Sequence, residues 1–283
     1  MNALDAWLGR SESRQDRIDS GHARHWLATL DRAAPGDGTL PQGFHWCLGL
    51  PDAPTAILGA DGHPLRDDGP DSFLPPLSHL PRRMWASSKV EFVAPLRLGQ
   101  TIERRSSVAK IEAKSGGSGE LVFVTVEHQT LADGTLAVRE EQSLVYRAAA
   151  AGDAPLAPPA PGAGRFEPAD WHAHRTICPS EALLFRFSAL TFNSHRIHYD
   201  LRYARDVERY RGLVVHGPLT ATLLLDLARR ELGDNVLARF AFRGLSPAIC
   251  GEELNLALRK VEGGYELGAF ASDGRQVASA SAA

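Results

Sequence analysis

The residues best suited to moving a proton lie together between Phe187 and Arg230. There Phe-Ser-Ala-Leu-Thr-Phe-Asn-Ser-His-Arg-Ile-His-Tyr-Asp is followed by Leu-Val-Val-His-Gly-Pro-Leu and by an apolar run that ends in two arginines. A short irregular turn separates Asn193 from His198, so both side chains can enter one cleft. An imidazole titrates near neutrality and can accept and return a proton there, whereas the Asn193 amide can hold a water or orient the ring but cannot act as a base. Downstream, Gly217-Pro218 has the form of a helix start, because proline lacks the N–H that would find no partner in a first turn. The residues from Leu219 to Leu232 leave little polar face and predict a buried helix. The N-terminal end of such a helix gathers unpaired N–H groups and positive dipole, which suits a carbonyl oxygen gaining negative charge, and Gly217, without a Cβ, lets that oxygen approach.

The elements that must position these residues are legible along the chain. Its 283 residues can build a substantial core, and 43% hydrophobic with 23% charged residues is ordinary for a soluble globular protein. A net charge of −3 argues against a nucleic-acid partner. No apolar stretch is long enough for a membrane span, and Arg10, Arg14, Asp16 and Arg17 surround only a short apolar opening, so no membrane partner and a cytoplasmic location are expected. Cys47, Cys178 and Cys250 are too few and too scattered for a disulfide framework or a thiolate cage.

Residues 1–35 carry Trp7, Leu8, Ile18, Trp26, Leu27 and Leu30 at loose helical spacing and predict helix. Residues 40–46 suit the start of a short central helix or a turn, and residues 50–81, rich in proline and glycine, form a long connection of the kind that is functional or mobile. Strands are predicted at 89–93, 101–111, 121–131 and 136–146, with breaks at Gly99, 115–119 and Asp133-Gly134. An Ala/Pro/Gly linker at 148–168 divides an N-terminal unit, 1–147, from a C-terminal one, 169–283, with strands near 238–243, 253–261, 265–272 and 276–281. The halves echo one another. Pro95 to Gly99 precedes Ile102 as Pro247 to Gly251 precedes Leu254, which argues for two copies of one unit.

The run from Ser188 to Asp200, then Tyr203-Ala204 and Val215-His216-Gly217-Pro218, resembles the hydratase motif of the MaoC-like hot-dog enzymes. It is most similar to the branch of hydroxyacyl-thioester dehydratase type 2 and the mesaconyl- and itaconyl-CoA hydratases. The resemblance covers nearly the whole chain, including Pro81-Arg82-Arg83-Met84-Trp85-Ala86. It implies an α+β double hot-dog: two long helices, each wrapped by a curved antiparallel sheet, paired as a pseudo-dimer whose first half is degenerate and whose second half carries catalysis. A homodimer of such chains is expected. With His198 on the family's catalytic histidine, Asn193 stands on its aspartate and His195 on its asparagine. That departure removes the second titrating group and leaves His198 as the acid/base.

The expected reaction is the reversible addition of water to an α,β-unsaturated acyl-CoA, most readily a short branched dicarboxylyl group such as mesaconyl or itaconyl. His198, Asn193 and Gly217 are the expected catalytic residues. His195, Arg196, Arg202, Arg205, His216, Arg82, Arg83 and Trp85 are candidates for holding substrate, the arginines because a guanidinium offers paired donors to phosphate or carboxylate. His195-x-x-His198-x-Asp200 has the residue types of a metal site, but no Cys or Glu joins it, and neither metal nor redox cofactor is expected beyond coenzyme A as part of the substrate. His45, His63, His79 and His128 show no partner pattern. The alternatives are a 3-hydroxyacyl-thioester dehydratase of fatty-acid metabolism, acting on a CoA or carrier-protein thioester, and an acyl-thioester binding module or thioesterase.

Overall fold

The computed structural model describes residues 3–33, 36–116 and 119–283. The first half contributes β1 (Ser11–Arg17), α1 (Ser20–Thr29), β2 (Arg82–Phe92), β3 (Thr101–Gly116), β4 (Gly119–Ala132) and β5 (Thr135–Arg147). The second contributes β6 (Ala173–Ile177), α2 (Glu181–Leu190), α3 (Leu201–Asp206), α4 (Gly217–Leu232), β7 (Arg239–Gly244), β8 (Leu254–Val261), β9 (Gly264–Ala271) and β10 (Gln276–Ala282). The strands form one ten-stranded sheet in the order β1-β3-β4-β5-β2-β7-β10-β9-β8-β6, with antiparallel pairing throughout. Alternation explains the strands: along β4 Val122, Val124 and Val126 point into the core while the residues between them do not.

The order reads the same from either edge once the halves are matched, and the central pairing shows why. Lys89 of β2 lies opposite Ala241 of β7, and 89 to 241 is the same step of 152 positions as 95 to 247 and 99 to 251 in the repeated turns. Gly99 and Gly251 take the same left-handed conformation, with φ of 85° and 79°. Helices α1 and α2 follow their edge strands in the same way, each capped by a short polar side chain, Asp19 or Ser180. A pseudo-dyad therefore passes between β2 and β7, as the double hot-dog architecture requires.

Two expectations need correction. Residues 11–17 are not helical but form edge strand β1, paired along its length with β3, and helix starts only at Ser20; residues 1, 2, 34 and 35 lie outside the described set, as do 117 and 118 of the expected break. Among the described residues the first half also has no second long helix. Opposite α4 it has the single 3-10 turn Phe44–Cys47, because Gly43 and Gly49 hold positive φ (97° and 58°) on either side and Pro51 follows. One core serves both halves: Trp26, Phe44 and Trp46 join Leu219, Leu223, Leu224 and Leu227 of α4 and Leu256 and Leu267 of the second set of strands. Among the described residues no helix is long and apolar enough to cross a membrane.

The places that break the symmetry are the connection 50–81 in the first half and the segment 191–216 in the second, and these two meet. The Arg196 N–H donates to Asp61 O (2.8 Å), the Arg196 Nη1 to Ala60 O (2.9 Å) and the Ser194 hydroxyl to Gly62 O (2.5 Å). Gly62 has φ of 85°, and a Cβ there would overlap the Ser194 carbonyl. Gly62→Ala is expected to cost about 1–3 kcal/mol in urea unfolding and to open residues 55–65 to protease; unchanged stability and unchanged digestion would contradict this clamp.

Candidate active site

His198 ends a 3-10 turn, Arg196–His198, whose exit is fixed by Asp200. Asp200 caps α3 by accepting from the Tyr203 N–H (3.0 Å) and takes both Nε and Nη2 of Arg196 (3.1 and 2.7 Å), so its carboxylate is spent on structure. The buried His198 ring donates from Nδ1 to the Val214 carbonyl at 2.7 Å. A carbonyl can only accept, so Nδ1 carries the hydrogen and Nε2 is left with its lone pair. Burial pushes His198 down to about 4, against the stabilising pull of Val214 and with a further push from His63. It is a neutral imidazole at neutral pH.

Around it lies a row of imidazoles. His216 stacks on His198 with centroids 3.5 Å apart, its Nε2 within 2.8 Å of the Ser188 hydroxyl and its Nδ1 buried without a partner. Burial, then His198 and His195, hold it well below the ordinary histidine range. On the other side His195 stands perpendicular to His198 at 5.5 Å and faces His63 at 4.2 Å. Burial first, then the neighbouring histidines, take His195 down to about 2. His63 in turn donates from Nδ1 to Asp61 Oδ2 at 3.0 Å. Burial works against the Asp61 charge, but the His63 bond wins and holds the carboxylate at about 2. Asp61, His63 and His195 bring ligand-capable atoms within 4.8 Å of one another. Asp61, however, gives one oxygen to the His63 ring and the other to its N–H (3.0 Å), so the trio is a hydrogen-bonded pair beside a ring.

Asn193 follows Phe192, a non-glycine at φ of 46°, and its Oδ1 accepts from the His195 N–H at 2.9 Å. The ring of His198 is thus oriented by Val214 and not by Asn193, whose NH2 remains for a water. Gly217 opens α4, and its N–H makes no hydrogen bond within the described chain. A Cβ on Gly217 would stand 3.3 Å from Cε3 of Trp85, so the indole forms the wall opposite the helix end. Trp85 stacks on Phe242 (5.1 Å) and donates to Ser88 Oγ (2.7 Å), which donates to the buried Glu140 (2.5 Å). Trp46 Nε1 binds the same carboxylate at 3.2 Å.

The arginines separate by partner. Arg82 and Arg196, expected to hold substrate, are spent elsewhere: buried Arg82 pairs with Glu208 at 2.6 Å and donates to the Glu208 carbonyl, while Arg196 serves Asp200 and Ala60. Arg202, 92% exposed beside Asp206, and Arg205 lie on the outer face of α3, away from the rings. The Arg83 side chain, half-buried in β2, makes no ion pair or hydrogen bond among the described residues. Its charge nonetheless reaches the site, since it helps to lower both His63 and His195.

His63, Asp61 and Glu140 were not singled out by sequence. Asp61-Gly62 signals a turn, but the ring that His63 faces, His195, is 132 positions away; Glu140 falls at an inward position of a strand, which is a sign of a buried polar network. A cleft of about 660 Å³ lies elsewhere, at the far end of α4, lined among others by Gln42, Gly43, His45 and Leu237. Leu237 is 152 positions beyond Trp85, and Gln42-Gly43 lead into their turn as His216 and Gly217 lead into and open α4, so this is the counterpart of the site in the first half, without a second His198.

Residues 43–250 match the family model described as hydroxyacyl-thioester dehydratase type 2. The chain is 42% identical to mesaconyl-C(4)-CoA hydratase of Chloroflexus aurantiacus over 99% of its own length and 98% of the relative's. Among solved structures it superposes on a MaoC-like dehydratase from Phytophthora capsici with a TM-score of 0.71 at 13% identity, covering 99% and 98% of the two chains. A Mycobacterium tuberculosis protein described as a double hot-dog gives 0.57 at 15% identity, covering 97% and 95%. Fold, motif and relatives agree: the chain belongs to the hydroxyacyl-thioester dehydratase type 2 family and is a hydro-lyase of the hydratase/dehydratase kind on a double hot-dog scaffold.

Proposed function

We propose that the protein adds water reversibly across the Cα=Cβ bond of a short, branched dicarboxylyl-CoA such as the 4-CoA thioester of mesaconate; an itaconyl 4-thioester, whose double bond lies between Cβ and Cγ, would have to shift that bond to Cα before the same step could act on it. The carrying observation is His198 Nε2, left as a lone pair by the Val214 bond on a ring stacked against His216, the residue that leads into the free N–H of Gly217. The thioester oxygen would sit on that N–H. His198 takes a proton from a water held by the Asn193 NH2, the water oxygen bonds to Cβ, and the π pair moves onto the thioester oxygen as an enolate. The helix terminus stabilises that charge, a contribution of the order of 10²–10³ in rate for one donor. The imidazolium, destabilised by its buried setting, then gives its proton to Cα, which restores both the neutral ring and the thioester.

Every proton in this route is handled by one residue, so it needs no metal or redox cofactor. We read residues 1–147 as the half that walls the site, 169–283 as the half that holds the base, and 148–168 as the connection, all working in the cytoplasm and pairing with a second copy. The identity to a mesaconyl-CoA hydratase over nearly the full length supports the dicarboxylyl substrate. The family match keeps a 3-hydroxyacyl-thioester dehydratase as the second reading.

A purified-protein assay with mesaconyl-, itaconyl- and crotonyl-CoA is expected to show hydration of a dicarboxylyl thioester; hydration of crotonyl-CoA alone would favour the dehydratase, and release of free thiol would contradict both. His198→Ala should lower kcat by ~10²–10⁴ with an unchanged circular dichroism spectrum, and near-normal turnover would refute the base. Because His198 lies at about 4 and must be unprotonated to act, kcat/KM should stay level from pH 8 to about 5 and fall below that; a fall centred near 6.5 would show an ordinary, exposed histidine at work.

A further inference from the structure

We propose that Arg83 and His63, both from the first half, form the receptor for a carboxylate carried on the β-carbon of the acyl group, with Asp61 holding His63 in place. This rests on the hydratase reading above and deepens it. When water adds to Cβ at His198, a carboxylate on Cβ is attached to the reacting carbon, so its receptor must lie beside His198 and not at the end of an acyl tunnel.

What lies beside His198 is limited. One flank is filled by His216, 1% exposed and stacked at 3.5 Å. The other leads through His195 to His63, whose side chain is 20% exposed and so open to an incoming group. A carboxylate entering there needs a cation without an acid of its own. Arg82, Arg196 and Arg202 have acids, and Arg205 is on the outer face of α3. Arg83 has none, and it is two residues from Trp85 on β2, whose ring walls the Gly217 end of the site. Its field reaches both imidazoles of this flank, and Arg66 adds to it at His63.

His63 is built as the second contact. Asp61 takes its ring Nδ1–H and its backbone N–H, which fixes the ring with Nε2 turned away from the carboxylate and occupies both Asp61 oxygens. An arriving anion therefore meets the Arg83 fork and the His63 edge; burial holds His63 below the ordinary histidine range, and the anion's own charge, with Asp61 behind the ring, works in the opposite direction. The clamp from Arg196 and Ser194 to residues 60–62 holds this edge against the second half. The carboxylate receptor and the base thus come from different halves of the duplication.

The test uses saturated thioesters, which cannot be hydrated: the 4-CoA thioester of methylsuccinate, with a carboxylate on Cβ, and isovaleryl-CoA, with a methyl in its place. Calorimetry on the full chain should show a preference for the former of ~10–100-fold, falling by at least tenfold in Arg83→Gln and in His63→Gln. Arg83→Lys should restore part of it, which a merely structural role for Arg83 would not produce. A preference that survives both Gln substitutions, or equal weakening of both ligands, would overturn the assignment. Because no turnover is involved, the outcome is separate from the hydratase reading: that reading fails if the wild-type protein hydrates no enoyl thioester, whatever these variants bind.

Discussion

The carbonyl of Val214 decides which nitrogen of His198 can act. A lone buried imidazole could carry its hydrogen on either nitrogen, and only one tautomer leaves a base facing substrate. Val214 is itself held on both sides, by its N–H to Ile197 O (2.9 Å) and by a bridge to Ile249 in the repeated Pro247–Gly251 turn, while Val215 donates to Ala248. The base is therefore fixed to the frame of the sheet through backbone alone. That explains how a site whose acid has become Asn193 can still present a histidine in one orientation. The cost is a buried ring with a low proton affinity, and this suits a base that must be neutral before water arrives and must give its proton up again within one turnover.

Duplication supplies the frame, and departure from it supplies the site. Two matched five-strand sets meet across β2 and β7. The first half gives up its long helix, so α4 packs against Trp26, Phe44 and Trp46 in a core common to both halves. What the first half gains in exchange is the connection 50–81, which carries Asp61 and His63 to the inserted turn of the second half. The Glu140 network beneath Trp46 and Ser88 steadies the Trp85 wall from the same side. The equivalent cleft of the first half keeps its glycine and its place, but Gln42 stands where the second half has His216, its N–H donating to the Asn235 side chain and its own side chain to Leu237 O.

Strands β4 and β5 are legible because valines and leucines recur at alternate positions along them, β3 because Ile102, Val108 and Ile111 give it β-branched residues between breaks at Gly99 and Ser115, and α4 because its apolar run starts at Gly-Pro. Strand β1 is not, since Ser-Glu-Ser-Arg-Gln-Asp-Arg has no apolar residue and becomes a strand only because the edge of β3 offers it partners. Helix α2 had a signal, Ser180 followed by Leu184 and Phe187 at helical spacing, but its end was read with the loop that follows. The base, its asparagine and the helix glycine could be named from spacing within one segment. His63 could not, because its meaning comes from a ring far away in sequence. Adjacency to the motif favours Arg202 and Arg205 among the candidate arginines, yet both lie on the exposed face of α3; the acids placed beside Arg82, Arg196 and Arg202 separate these three from Arg83.

A crystal structure with an unreactive saturated acyl-CoA tests the central claim most directly, that one base and one helix end from the second half act on a thioester walled in by the first. The account predicts the thioester oxygen about 2.7–3.1 Å from the Gly217 nitrogen, Cβ facing His198 Nε2, and Trp85 against the acyl chain. An acyl group seated instead in the cleft lined by Gln42, Gly43 and Leu237, with Gly217 uncontacted, would contradict it.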